Sequence, residues 1–142
     1  MGGLAEWWAI GGMWMYVVLL TDFAVAMVLG VLFVFAVVSA VTRRLGGLAR
    51  ALAIVGLLST LTPLCAGFVG KQAGLNNMEQ AIANVDPEQR EVIRAVGTAE
   101  AGVPFRFGIG SVCLLFGGAL VVLVTGFVAA SRAPNPYDEE EA

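Results

Sequence analysis

The sequence is poor in histidine, cysteine and charge, and each shortage excludes a class of site. Of its 142 residues none is histidine, two are cysteine and 13% are charged. Cys65 and Cys113 stand in separate apolar stretches without a CxxC pair, so we expect no metal site. Each cysteine is predicted to be a small buried hydrophobic residue. The lack of histidine also removes the side chain that usually switches charge near physiological pH.

Motifs for catalysis are also missing. The chain has no glycine-rich phosphate loop, no nucleophile paired with a base and no carboxylate dyad. We therefore expect no enzymatic activity, no cofactor and no nucleic-acid partner.

What the chain has in excess is apolar length. Hydrophobic residues make up 58% of it and the mean hydropathy is +0.84. A helix needs about 20 mostly apolar residues to cross roughly 30 Å of hydrocarbon. Three runs meet this length, at residues 13–41, 48–70 and 103–130. The sequence therefore predicts an all-α integral membrane protein with a three-helix membrane domain over residues 13–130.

The N-terminal residues 1–12 are predicted to form an interfacial segment. Aromatic side chains cluster here and at the start of the first run, and such rings favour the headgroup level of a bilayer: Trp7, Trp8, Trp14 and Tyr16. Gly11 and Gly12 separate residues 4–10 from the apolar run. Residues 4–10 either lie along the membrane surface or are frayed. Glu6 stands where a cleaved signal would carry Lys or Arg, so we expect the segment to be retained.

The short connector after the first run is basic and predicts the orientation of the chain. Arg43, Arg44 and Arg50 lie in or beside it, and such clusters stay in the cytoplasm. Three spans then place the N-terminus outside and the acidic tail, residues 131–142, in the cytoplasm. Once Arg132 after the last run is counted on the same side as Arg43, the two sides carry equal numbers of basic residues, so only the density near Arg43 decides. The basic residues in or beside the other loop are Lys71, Arg90, Arg94 and Arg106.

The polar segment 71–102 is long enough to hold structure of its own. Asp86 and Pro87 are typical of a helix start, with the aspartate at the N-cap and the proline in the first turn. Pro104 is expected to kink the chain where the third run begins. The segment either projects from the bilayer or lines a pore.

Small residues predict where helices approach closely. Gly67, Gly70 and Gly74 follow each other at three- and four-residue spacing, which places them on one helix face. Further close-approach points are predicted on the third span: Gly108, Gly110, Gly117 and Gly118.

Ionisable side chains in or near the spans are candidates for function because a charge in hydrocarbon costs several kcal/mol. Asp22 lies about ten residues into the first run, where no neighbour in sequence can pair with it, so its partner must come from elsewhere. Glu100 and Arg106 bracket Pro104. They are either functional or ordinary solvated charges.

Three stretches, taken in order, resemble one family. Residues 11–16, Gly-Gly-Met-Trp-Met-Tyr, with Leu19-Leu20 beyond, are similar to a first span in which glycines precede Met-Tyr-Pro-Leu-Leu. Residues 67–74 resemble Gly-Leu-Leu-Gly-Thr-Val-x-Gly. Residues 97–101, Gly-Thr-Ala-Glu-Ala, with Gly108-Ile109 beyond, are similar to Gly-Ile-x-Glu-Ala followed by Gly-Leu. Together they resemble the MotA/TolQ/ExbB proton-channel family, over nearly the whole chain.

The resemblance implies a homopentamer in the bacterial cytoplasmic (inner) membrane, with its second and third helices around a central pore. The pore would hold a dimer of an ExbD/TolR/MotB-like single-span protein, which proton flow moves as in a molecular motor. Glu100 corresponds to the family's acidic position in the third helix, and Gly97 belongs to the same motif.

Two departures from the family concern the expected proton path. Lys71 and Phe105 stand where the family has threonines, and neither a cation nor a phenyl ring passes protons on. Asp22 is a candidate to compensate for them. Two alternatives therefore stay open. The chain is either a non-conducting scaffold with the family architecture, or an unrelated three-helix subunit with a substrate or ion site at Asp22 and Arg106.

Overall fold

The chain folds into helices throughout the part that the computed structural model describes, residues 4–133, with side chains described from residue 12. The five helices are α1 (Leu4–Thr42), α2 (Gly46–Ser59), α3 (Thr62–Ala83), α4 (Pro87–Ala101) and α5 (Val103–Arg132). No strand occurs in this range. The predicted all-α fold is confirmed.

Three helical stretches are long and apolar enough to cross a membrane: Gly12–Thr42, Gly46–Ala83 and Pro87–Arg132. They match the three predicted spans, which supports a three-span membrane protein. The second stretch ends 13 residues later than the apolar run, because α3 continues through the polar residues after Gly70. The third begins earlier because α4 leads into α5, so residues 71–102 are almost entirely helical.

A kink at Gly12 interrupts α1. The residue has φ 54° and ψ −146°, a conformation that side chains with a Cβ avoid. The glycine pair therefore marks a real change of direction after residues 4–11. Whether that short helix lies along the membrane surface stays a prediction, and residues 1–3 lie outside the described part of the chain.

Prolines explain the breaks within the second and third stretches. Pro63 has no N–H group to bond the carbonyl four residues earlier, and α2 ends at Ser59. Pro104 likewise lies in the first turn of α5, and the helix is interrupted two residues before it, at Gly102. Gly102 itself keeps right-handed helical angles, φ −74° and ψ −16°, so the break between α4 and α5 is one residue long and a kink at Pro104 stays a prediction.

The two connectors differ in conformation. Arg43 and Leu45 take left-handed values, φ 55° and 58°, which lets α2 start directly at Gly46. In the other connector, Asp86 occupies the N-cap of α4 with Pro87 in the first turn, as predicted. The capping hydrogen bond expected from the Asp86 side chain is absent; its backbone carbonyl instead accepts a bond of 3.0 Å from the Gln89 amide.

The chain divides into two compact units. Unit 1 contains residues 1–22 and 61–112, and unit 2 contains residues 23–60 and 113–142. In unit 1, α3 packs against α4, and Met15 and Val18 of α1 are fully buried. Unit 2 has an apolar core at whose centre lie Val25, Leu29, Ala53, Ala119 and Val122.

The prediction of buried cysteines is wrong. Cys65 and Cys113 are both exposed on this chain. Each stands on the outward face of a long apolar helix, where a thiol costs little against lipid. The acidic residues of the tail, 138–141, lie outside the part of the chain that the structure describes.

Candidate functional site

A hydrogen bond joins α1 to α5 within unit 1. The Ser111 hydroxyl donates to Oδ2 of Asp22 over 2.6 Å. Ser111 is 8% exposed, and Oδ1 of Asp22 is buried without a hydrogen-bond partner among the described residues. The partner of Asp22 therefore comes from elsewhere in the chain, as expected, although the sequence did not point to Ser111. A lone serine in an apolar run gives no signal that would have identified it.

The structure brings together Lys71 and Phe105, two residues singled out in the sequence. The Lys71 ammonium lies 5.4 Å from the centre of the Phe105 ring, close enough for a cation-π interaction. The Phe68 ring meets the same ring edge to face, with 6.3 Å between centroids and 69° between planes. The cation is thus held beside a small aromatic cluster on α3 and α5.

Glu100 lines a cleft in unit 1, hereafter the Glu100 cleft, with a volume of about 500 Å³. Its walls come from α1, α3, α4 and the start of α5, and they include Trp14, Asn77, Met78, Val96, Ala101 and Pro104. Glu100 is exposed and is the one charged side chain among the described residues that line this cleft. A carboxylate here faces an apolar hollow while remaining open to solvent.

Glycines of α3 set how closely other helices approach the cleft. A Cβ added to Gly70 would lie 3.0 Å from Cβ and Cγ of Trp14. A Cβ on Gly74 would lie 2.9 Å from that of Ala101. The α3 glycines therefore accommodate α1 and α4, whereas their spacing had suggested contact with a single partner helix.

Gly97 plays the corresponding part on α4. A Cβ there would lie 2.7 Å from Cγ of Met78 on α3. The Thr98 hydroxyl also lies 3.6 Å from the Met78 sulfur, and it bonds the Arg94 carbonyl of its own helix over 2.7 Å. The motif that contains Glu100 thus packs its glycine onto α3.

Two further glycines bring backbones of α3 and α5 together. A Cβ on Gly67 would lie 2.6 Å from the Pro104 carbonyl oxygen, and one on Gly108 would lie 2.7 Å from that of Pro63. In both cases the obstructing atom belongs to the backbone, which cannot rotate away. At Gly110, Gly117 and Gly118 no described residue outside the glycine's own helical turns lies within 4 Å of such a Cβ, so the close approach predicted at these three glycines is not made within the described chain.

The predicted charged residues do not converge on one point. Among the described residues, no hydrogen bond or ion pair links Asp22, Glu100 and Lys71, and Arg106 is exposed. Among the described residues, no three histidine, cysteine, aspartate or glutamate side chains lie close enough together to hold a metal ion. Unit 1 therefore holds three separate features: the hydrogen bond between Asp22 and Ser111, the cation-π contact between Lys71 and Phe105, and the Glu100 cleft.

Comparison with protein-family models, with curated proteins and with solved structures finds no match to this chain.

Proposed function

We propose that this chain is a proton-channel subunit of an ion-motive-force-driven motor in the bacterial inner membrane. In this proposal it couples proton flow to movement of a single-span partner. The observation that carries it is the hydrogen bond between Asp22 and Ser111. An ionisable side chain in an apolar span costs several kcal/mol, and such residues usually mark an ion or proton path. The likeness of three sequence stretches to the MotA/TolQ/ExbB family supports the same function.

The chemistry of the bonded pair suits proton transfer. A carboxyl group gains and loses a proton, and a serine hydroxyl both donates and accepts. Oδ1 of Asp22 is buried and has no hydrogen-bond partner among the described residues, so its lone pairs are left to accept a proton. Glu100 offers a second carboxylate, open to solvent in its cleft. A proton path needs such groups at both a solvated and an apolar position.

The surface of unit 2 supports assembly with further copies. Gly117 and Gly118 of α5 are exposed, and a Cβ at either position would meet no described residue outside its own helical turns within 4 Å. Leu114, one turn earlier, is 82% exposed. Such a smooth face lets a second helix approach closely in lipid. We propose five copies around a dimer of an ExbD/TolR/MotB-like protein, with the N-terminus outside and the C-terminus in the cytoplasm.

Proton uptake into proteoliposomes tests conduction directly. The complex is extracted from its own membrane in mild detergent, reconstituted, and driven by a potassium diffusion potential. We expect Asp22→Asn and Glu100→Gln each to lower uptake at least tenfold. Glu91→Gln is the matched control, because Glu91 is an exposed carboxylate of α4 that does not line the Glu100 cleft. Unchanged proton uptake in both variants would contradict the proposal that Asp22 and Glu100 conduct protons.

Native mass spectrometry of the same extract tests the assembly separately. Five copies with two of a smaller single-span protein are expected. A monomer, a dimer or a complex without such a partner would contradict the motor, whatever the uptake assay shows.

A second candidate function is a non-conducting scaffold that keeps the same architecture and anchors a larger membrane complex. The cation of Lys71 beside the Phe105 ring favours it, because a fixed positive charge repels protons where the family has hydroxyls. A single result distinguishes the proton channel from the non-conducting scaffold. A pentamer with its partner but with no proton uptake above protein-free liposomes identifies the scaffold.

A further inference from the structure

The end of the first span, the start of the second and the end of the third lie on one side of the membrane, and each has an arginine in or beside it. The first span ends at Thr42, the second begins at Gly46 after a three-residue connector, and the third ends at Arg132. Because three spans alternate in direction, these ends face one side. A direct contact agrees: a Cβ on Gly46 would lie 2.5 Å from the Ala129 carbonyl oxygen, in the last turns of α5.

Unit 2 concentrates positive charge at this end. Its described residues include four arginines and no aspartate or glutamate: Arg43, Arg44, Arg50 and Arg132. All four side chains are exposed. We call these four residues the arginine collar. Since none of them forms an ion pair among the described residues, their charge is available to an external anion.

Two residues of the collar have a defined position beside a helix. The Arg50 guanidinium lies 5.6 Å from the centre of the Phe127 ring, which ties it to α5. Arg43 follows the last helical turn of α1 in a left-handed conformation. Beside the collar, exposed apolar side chains offer a surface for acyl chains: Val41, Leu45 and Leu48.

We propose that the arginine collar binds the headgroup phosphate of an anionic phospholipid. Guanidinium groups recognise phosphate through paired N–H donors. Basic residues next to a membrane helix attract anionic lipid with about 1 kcal/mol each, or roughly fivefold in affinity. The combination of unpaired arginines with exposed apolar side chains fits a lipid better than a soluble anion. This site is separate from the proposed proton path and does not depend on conduction.

The experiment measures lipid retained by the delipidated full-length chain, using native mass spectrometry. Phosphatidylglycerol is titrated against phosphatidylcholine with the same acyl chains. The variant is Arg43→Gln, Arg44→Gln and Arg132→Gln combined, and the matched control is Arg90→Gln with Arg94→Gln on α4 of unit 1. We expect preferential binding of phosphatidylglycerol that falls at least tenfold in the variant and not in the control.

Three results would overturn the proposal. One is equal retention of both lipids, and another is undiminished binding in the triple variant. The third concerns residues 138–141, an acidic run of this chain that is itself a possible occupant of the collar. If phosphatidylglycerol binds only after residues 134–142 are removed, the tail and not a lipid occupies the collar in the full chain.

Discussion

Ser111 and Asp22 are 89 residues apart in sequence, yet the serine hydroxyl lies 2.6 Å from Oδ2 of the aspartate. The bond crosses from α5 to α1 in a stretch of otherwise apolar side chains. It satisfies one carboxyl oxygen and leaves Oδ1 without a partner among the described residues. The pair is therefore important for stability and is also the strongest candidate for a transport role.

Replacement of Ser111 by alanine should destabilise the chain. The substitution deprives a buried carboxyl oxygen of its donor, and we expect the free energy of unfolding to fall by about 1 kcal/mol. Thermal unfolding in detergent, followed by circular dichroism, measures the change as a lower Tm. Ser59→Ala is the control, because that hydroxyl bonds only the Gly56 carbonyl of its own helix over 2.7 Å.

The double variant Asp22→Leu with Ser111→Ala completes this test. Replacing both partners with apolar groups removes the unsatisfied carboxyl, so stability should return to near that of the parent chain. Proton uptake should nevertheless remain low, because the ionisable group is gone. A double variant less stable than Ser111→Ala alone would contradict the pairing.

Gly108 and Gly110 form a matched pair for testing close helix contact. A Cβ at Gly108 would lie 2.7 Å from the Pro63 carbonyl oxygen, whereas a Cβ at Gly110 would meet no described residue outside its own helical turns within 4 Å. We expect Gly108→Ala to cost about 1–3 kcal/mol through overpacking. Gly110→Ala should be neutral or stabilising by up to about 1 kcal/mol, since alanine favours helix. Chemical denaturation in the same detergent compares the two, and equal effects would contradict the contact.

The sequence predicted the spans better than their ends, for a physical reason. Apolar length identifies what can enter lipid, but α3 continues to Ala83 because it packs against α4, which hydropathy does not record. Pro87 was a reliable marker of the α4 start because its backbone constraint is local. Asp86 is the N-cap residue, as predicted, but its side chain makes no capping hydrogen bond, because the Gln89 amide donates to the Asp86 backbone carbonyl, an acceptor that the sequence does not reveal.

The candidate site was predictable only where a residue is unusual on its own. Asp22 stands out in an apolar span, so it was identified, but Ser111 is unremarkable until the fold places it opposite. Cys65 was wrongly expected to be buried, because apolar surroundings in sequence do not distinguish a face that packs on protein from one that faces outward. The contact between Lys71 and Phe105 likewise depends on how α3 meets α5.

Exchange of Lys71 and Phe105 for threonine should increase proton uptake. The double variant removes a positive charge and a ring and introduces two hydroxyls, which can bond water along a path. We expect uptake into proteoliposomes to rise severalfold over the parent chain. Phe68→Thr is the control, since it alters the same aromatic cluster and leaves the cation in place. An equal rise in that control would show that wetting alone, and not the charge, limits flow.

Cysteine labelling tests the proposed orientation. In a Cys65→Ser, Cys113→Ser background, we introduce Asn84→Cys in the connector after α3 and Arg44→Cys in the connector after α1. With the N-terminus outside, an impermeant maleimide should label residue 84 in intact cells and residue 44 only after the membrane is opened. The reverse labelling pattern would show that the N-terminus lies in the cytoplasm and would contradict the proposed orientation.

The depth of Asp22 has an electrical consequence. It lies ten residues beyond Gly12, where the first span begins. The span contains 31 residues, so Asp22 lies about one third of the way along it. If this helix crosses the bilayer as proposed, a proton that reaches the carboxyl from the nearer side crosses about one third of the transmembrane field. The proton affinity of Asp22 should therefore change with voltage by about 0.8 kcal/mol for each 100 mV.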